Sequence, residues 1–182
     1  MMNDVLSSIN KGEIILYPTD TVWGLGCDAT DEKAVSNIYK IKKREASKSL
    51  IVLVSSFAML SKHVDVPSKA KDLISTLEKP TTIIYTNPRG IAKNIINKED
   101  NSLAIRIVKD DFCRELIIRL GKPLVSTSAN ISGNPTPKSF REIEKGILDS
   151  VDYIVNLRQE EIATKSSTIL KIEGEEVVMI RE

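Results

Sequence analysis

The stretch "KPLVSTSANISG", residues 122–133, decides how the rest of the chain is read. Its apolar lead-in, Leu124 and Val125, reads as a strand, and Ser126, Thr127, Ser128, Asn130 and Ser132 follow before Gly133. Hydroxyls crowded at the end of a strand serve one of three ends: a serine nucleophile, a ligand cradle, or the cap of a following helix.

Working outward, "LAIRI" (103–107) alternates as a half-buried strand does, and Asp110 is placed to cap an amphipathic helix over 111–120 that Gly121 ends. A short helix over 4–10 precedes "EIILY" (13–17), a buried strand stopped by Pro18. The loop "PTDTVWGLGCDAT" (18–30) then leads to a helix for which Thr30 is the expected N-cap, with Ala34, Val35, Ile38 and Ile41 at helical spacing. "LIVLV" (50–54) and "TTIIYT" (81–86) read as strands around one or two helices in 56–78 that break near Pro67. A helix near 138–148 and the strands "DYIVN", "STILKI" and "VVMIRE", with a Glu173-Gly174 turn, complete the alternation. The pattern predicts an α/β fold, a single domain over 1–182 with a twisted, mixed, largely open β-sheet and flanking helices.

Composition narrows the function. With 41% hydrophobic and 28% charged residues the chain is globular, and no apolar run approaches the ~20 residues of a membrane span. The N-terminus "MMNDVLSSINKGE" carries no export signal, so the expected location is cytoplasmic. Cys27 and Cys113 form no CxxC and read as buried, reduced thiols. Lys and Arg total 26 against 25 acidic residues, so any anion site must be local. One such concentration exists in "YKIKKREASKS" (39–49), with Lys40, Lys42, Lys43, Arg44 and Lys48.

Most catalytic patterns are missing. There is no GxSxG elbow to make Ser126 or Ser128 a nucleophile, and the lone histidine, His63, sits in a polar break between helices. HExxH, paired CxxC and EF-hand spacings are absent, as are GxGxxG and GxxxxGK[ST]; "GLG" at 24–26 completes neither. What remains is an anion site of another design. Loop hydroxyls and backbone N–H groups hold phosphate oxygens while Lys and Arg neutralise them, at roughly 1.5–3 kcal/mol per charge-assisted hydrogen bond.

Four segments, "YPTDTVWGLGCDA", "KKREASKSL", "LAIRI" and "KPLVSTSANISG", resemble in order and spacing the YrdC/TsaC family of threonylcarbamoyl-AMP synthases. The last resembles the family's SxN motif and is the most specific match; the second resembles its KxR motif, and "SSTIL" and "MIR" resemble its closing strands. The resemblance implies a YrdC-like fold, in the short form without the extra C-terminal domain of longer synthases. It also implies a reaction joining L-threonine, bicarbonate and ATP into threonylcarbamoyl-AMP and pyrophosphate. Mg²⁺ would arrive with ATP rather than on a protein metal site, and the product would pass to a threonylcarbamoyl-transferase machinery acting on tRNA.

By residue-to-residue likeness, Lys42, Arg44, Ser128 and Asn130 would be catalytic. Arg44, Lys48, Ser102, Ser128, Thr136 and Arg181 would hold ATP, and Thr21, Arg106, Ser126 and Ser167 would hold threonine. An N-carboxylated threonine offers its own carbamate oxygen to the α-phosphorus, so the enzyme needs only positioning and charge stabilisation. The chain departs from the family pattern at Glu45, at Leu53 in place of a histidine, and at Leu77-Glu78-Lys79 before Pro80 in place of Trp-Pro-Gly. Two other readings stand beside this one: an RNA-binding YrdC-like module without catalysis, and a domain forming a related carbamoyl-adenylate. Singly, Thr19–Thr21 reads as a turn, Arg106 as an outward strand residue and Trp23 as packing.

Overall fold

The computed structural model describes residues 1–45, 50–163 and 165–182. Its strands are β1 (Ile15–Tyr17), β2 (Gly24–Gly26), β3 (Ile51–Val54), β4 (Thr81–Thr86), β5 (Ser102–Ile107), β6 (Leu124–Ser128), β7 (Tyr153–Ile154), β8 (Thr168–Glu173) and β9 (Glu176–Arg181). Among the described residues they form one open mixed sheet in the order β7, β1, β2, β6, β3, β5, β4, β8, β9. Pairing is parallel for β1 with β7, β3 with β5 and β4 with β8, and antiparallel elsewhere. The fold is α/β, as the alternation of apolar runs predicts.

Helices cover both faces. α2 (Glu32–Lys42), α3 (Phe57–His63) and α4 (Ser68–Thr76) bury Val35, Ile38, Leu60 and Ala70 against Val52, Val54, Ile83 and Ile105. On the opposite face α1 (Met2–Asn10) and α5 (Asp111–Leu120) pack Val5, Ile9, Phe112 and Leu116 onto Ile15, Tyr17, Leu53 and Leu124. Fully burying an aliphatic side chain of this size contributes about 2 kcal/mol, so these two layers supply most of the drive to fold. A third cluster, Leu16, Trp23, Leu25, Ile143 and Ile147, closes the β1–β2 end, with α6 (Lys145–Leu148). Trp23 is therefore packing, its ring 5.0 Å from that of Phe140.

Several local expectations need correction. Asp31, not Thr30, caps α2: its carboxylate accepts from the N–H groups of Lys33 and Ala34, while the Thr30 hydroxyl donates to Asp28. The helix expected over 138–148 is a 3-10 turn at Phe140–Glu142 followed by α6, because Ile143 is extended to reach the Trp23 cluster. Strand β5 is buried on both faces rather than alternating, since the loop after β1 covers the side that carries Arg106.

"GLG" is a strand rather than loop, and its glycines are there for space. A Cβ on Gly26 would lie 2.5 Å from Tyr17 Cε1 and 2.9 Å from the Val125 carbonyl oxygen. The Tyr17 ring passes there because its hydroxyl donates to Val125 at 3.0 Å, tying β1 to β6 across β2. Burial pushes that phenol's pKa well up, so it stays a donor. Gly26→Ala is expected to destabilise the protein by about 2 kcal/mol, the usual cost of overpacking a filled site. A urea denaturation midpoint equal to that of the wild type would contradict this packing.

Candidate active site

The sheet register brings chemistry to one place. Ile51 is paired with Ala104 on one side and Ser126 on the other, and Leu53 is paired with Arg106. With a side-chain period of two, Ile51, Ala104, Arg106, Ser126 and Ser128 share one face. There, beyond the cover of α1 and α5, lies a cavity of about 300 Å³. Apolar side chains such as Leu50, Ile51, Ile84, Ile169 and Ile180 line part of its wall, and the polar lining is Thr21, Arg44, Arg106, Ser126, Thr127, Ser128, Thr136, Ser166, Ser167 and Arg181.

Each cation reaches the cavity by a specific local device. Arg44 follows Lys43, which takes a left-handed conformation (φ 49°) to end α2, and the Arg44 N–H then donates to the Tyr39 carbonyl. Arg106 stands on β5 and is 3% exposed; its Nη2 lies 3.0 Å from Asp20 Oδ1 and its Nη1 3.4 Å from the Thr21 hydroxyl. Arg181, at the end of β9, donates through Nε and Nη2 to the Ser167 carbonyl at 3.1 and 2.8 Å. The Ser167 hydroxyl in turn shares a 2.8 Å hydrogen bond with Thr82. Burial lowers the pKa of the Arg44 guanidinium, and burial together with the charge of Arg106 lowers that of Arg181. Three guanidinium groups around a half-enclosed space make a site for an anion of more than one charge.

Eight residues singled out in the sequence thus line one cavity: Thr21, Arg44, Arg106, Ser126, Ser128, Thr136, Ser167 and Arg181. Three others do not. Ser102 is buried at the start of β5, on the same strand face as Ala104 but outside the lining. Lys42 is 1% exposed and points beneath β6, its ammonium donating to the Ser128 carbonyl (2.6 Å), the Asn130 carbonyl (2.9 Å) and Asn130 Oδ1 (3.3 Å). Asn130 is also turned inward, accepting from the Ser128 hydroxyl at 2.5 Å and donating to the Asn134 carbonyl at 2.7 Å. The sequence leads one to expect Lys42 to surround a phosphate and Asn130 to face the nucleotide; in this structure their polar side-chain atoms are engaged within the protein. Lys48 lies outside the described residues. His63 is also away from the cavity, its Nδ1 2.9 Å from the Arg89 carbonyl oxygen.

Comparison with known proteins identifies the family. A family model named Sua5/YciO/YrdC and described as "Telomere recombination" matches residues 7–182. The chain belongs to the Sua5/YciO/YrdC family. Within it, a Methanocaldococcus jannaschii relative is 39% identical over 175 residues, 96% of this chain and 81% of its own. A Xanthomonas oryzae protein named "Threonylcarbamoyl-AMP synthase" is 34% identical over 160 residues, 85% of this chain and 84% of its own. Among solved structures, P. abyssi Sua5 complexed with L-threonine superposes with a TM-score of 0.89 at 27% identity over 99% of this chain. This chain spans 53% of that Sua5 chain.

Asp20 is the residue that sequence reasoning undervalued in this Sua5/YciO/YrdC chain. Read alone it belongs to a turn, yet an arginine on a buried strand demands a counter-charge, and the acid beside Thr21 supplies it. Removing one partner of a buried pair leaves the other charge uncompensated. Asp20→Ala is therefore expected to cost about 3 kcal/mol, and the double variant Asp20→Ala/Arg106→Met less than the sum of the two single changes. Additive losses in urea denaturation would contradict the pairing.

Proposed function

We propose that this chain is an L-threonylcarbamoyladenylate synthase, a nucleotidyltransferase that forms threonylcarbamoyl-AMP and pyrophosphate from L-threonine, bicarbonate and ATP. The observation that carries the reading is the composition of the cavity wall, in which, among the described residues, three guanidinium groups meet seven hydroxyl side chains and no carboxylate, thiol or imidazole. Such a wall binds and positions anions; it does not attack them. The reaction needs no more, because threonine carboxylated on nitrogen brings its own nucleophile.

In this reading Arg106 grips the threonine α-carboxylate through its fork of donors, with Thr21, Ser126 and Ser167 around it. Arg44, Ser128, Thr136 and Arg181 face the ATP. Lys48 belongs to the same group by likeness of sequence, and Lys42, Asn130 and Ser102 act from outside the lining. The carbamate oxygen attacks the α-phosphorus, the bond from that phosphorus to the bridging oxygen breaks, and the electron pair leaves on pyrophosphate. Arg44 and Arg181 stabilise the negative charge that grows on the phosphate oxygens, where fixed cations in a partly dry site act most strongly.

The described residues contain no cluster of three His, Cys, Asp or Glu side chains able to hold a metal, and the lining offers hydroxyls but no acid. Mg²⁺ in this reading is carried by the ATP phosphates and neutralises them, while the chain supplies the arginines. The YrdC-like domain over 1–182 would work in the cytoplasm and hand its product to the transferase machinery that modifies the tRNA adenosine beside the anticodon. No helix is long and apolar enough to cross a membrane among the described residues.

Incubation with ATP labelled at the α-phosphate, bicarbonate and each amino acid in turn tests the assignment. Labelled threonylcarbamoyl-AMP and an equal amount of unlabelled pyrophosphate should appear when the amino acid is threonine and with no other. Arg44→Ala and Ser128→Ala should each lower turnover at least tenfold with an unchanged unfolding midpoint. Absence of product with threonine, together with tight, steeply salt-dependent tRNA binding, would replace this reading with that of an RNA-binding module.

A further inference from the structure

Within the KxR segment the two basic side chains part company. Left-handed Lys43 swings Arg44 out to the cavity, while Lys42, the last residue of α2, runs inward under the end of β6. An ammonium has three N–H donors, and three oxygens of the Ser128–Asn130 turn stand within 2.6–3.3 Å of this one. No donor remains for a ligand. The Lys42 carbonyl also accepts from the Ser132 N–H at 2.9 Å, so the end of α2 grips the loop through both side chain and backbone.

Within the loop the Asn130 N–H donates to the Ser128 carbonyl at 2.9 Å, and the remaining demand of the converging oxygens falls on Lys42. The Ser128 and Asn130 carbonyls and Asn130 Oδ1 converge on one point, and without a cation there they would be buried and mutually repulsive. Asn130 Oδ1 also receives the Ser128 hydroxyl, so the position of the ammonium sets the direction in which Ser128 meets the cavity.

We infer that Lys42 is a positioning residue: its buried ammonium is the post on which the Ser128–Asn130 turn is built, and it acts on the bound nucleotide through Ser128 rather than by touching phosphate. The inference rests on the proposed synthase reading for its activity readout and on geometry for the rest. Among the described residues, Arg44 is the charged group that acts on this ammonium, and what the β6 turn presents to it is neutral: Ser128 and Asn130. Burial first, and Arg44 second, bring the pKa of Lys42 down to about 8.

Two opposite pH dependences follow. Above pH 8 the folded protein loses the proton, one of the three donors disappears, and the turn loosens, so turnover falls. The unfolded lysine keeps its proton up to a pKa of about 10.4. Between these values the unfolded chain binds more protons, so the Lys42 contribution to stability rises with pH while activity declines. Loss of activity is thereby separated from unfolding.

The experiment combines kinetics with lysine Nζ-selective NMR on the full chain. In the wild type, one protected lysine ammonium should titrate near pH 8, vanish in Lys42→Met, and keep its shift when ATP saturates the site. Turnover should show an alkaline limb near pH 8 that Lys42→Arg moves beyond pH 10. Lys42→Met should lower kcat at least tenfold, and combined with Ser128→Ala it should cost no more than threefold beyond the worse single variant. A Lys42 signal that shifts with ATP, or a Lys42→Met variant with raised KM for ATP, unchanged kcat and losses that multiply with those of Ser128→Ala, would overturn the inference. Wild-type protein that makes no threonylcarbamoyl-AMP would refute the synthase reading, and the NMR titration would still decide the role of Lys42 because it needs neither turnover nor a stable variant.

Discussion

The ion pair between Arg106 and Asp20 is the constraint around which the cavity is arranged. A guanidinium that is 3% exposed on a central strand carries a large desolvation cost, and the structure meets it by folding the loop after β1 back over β5. That return places Thr21 and Val22 against the cavity. It also buries the face of β5 that a simple alternation of polar and apolar residues would leave to solvent. Thr19 braces the loop, accepting from the Thr21 N–H and donating to the Val22 carbonyl, so the charge pair and the local hydrogen bonds require the same conformation.

A second arrangement mirrors the first. At one side of the site an anion from a loop neutralises a cation on a strand; at the other a cation from a helix end neutralises a ring of carbonyl oxygens at the end of a strand. In both, a charge supplied by the protein holds the wall in place, and Arg44, Arg106 and Arg181 line the cavity. Function and stability therefore divide by depth: Asp20, Lys42 and Asn130 shape the wall, and Arg44, Ser126, Ser128 and Arg181 form it.

Much of the fold was legible because its signals are local. Apolar runs marked eight of the nine strands, Asp110 and Gly121 bounded α5 as written, and Pro67 parted α3 from α4. Failures occurred where another contact outweighed the expected preference. Thr30 lost the cap to Asp31 because Asp28 claims its hydroxyl. Ile143 breaks the expected helix to join the Trp23 cluster. "GLG" became a strand because the Tyr17 ring needs the space that a Cβ on Gly26 would take.

For the site, residue types and their order along the chain are properties of the sequence alone: a basic run, a hydroxyl-rich strand end, one arginine on a strand, and no catalytic histidine pattern. These determined the family likeness and the class of chemistry, because they depend only on which groups are present. Tertiary structure alone decided which groups line the cavity. Lys42 and Arg44 are two residues apart and both carry a basic side chain, yet one is sealed beneath β6 and the other lines the cavity. The difference arises from a helix end turned by Lys43 and from three oxygens that a buried loop presents to the nearest cation, and neither exists until the strands have paired.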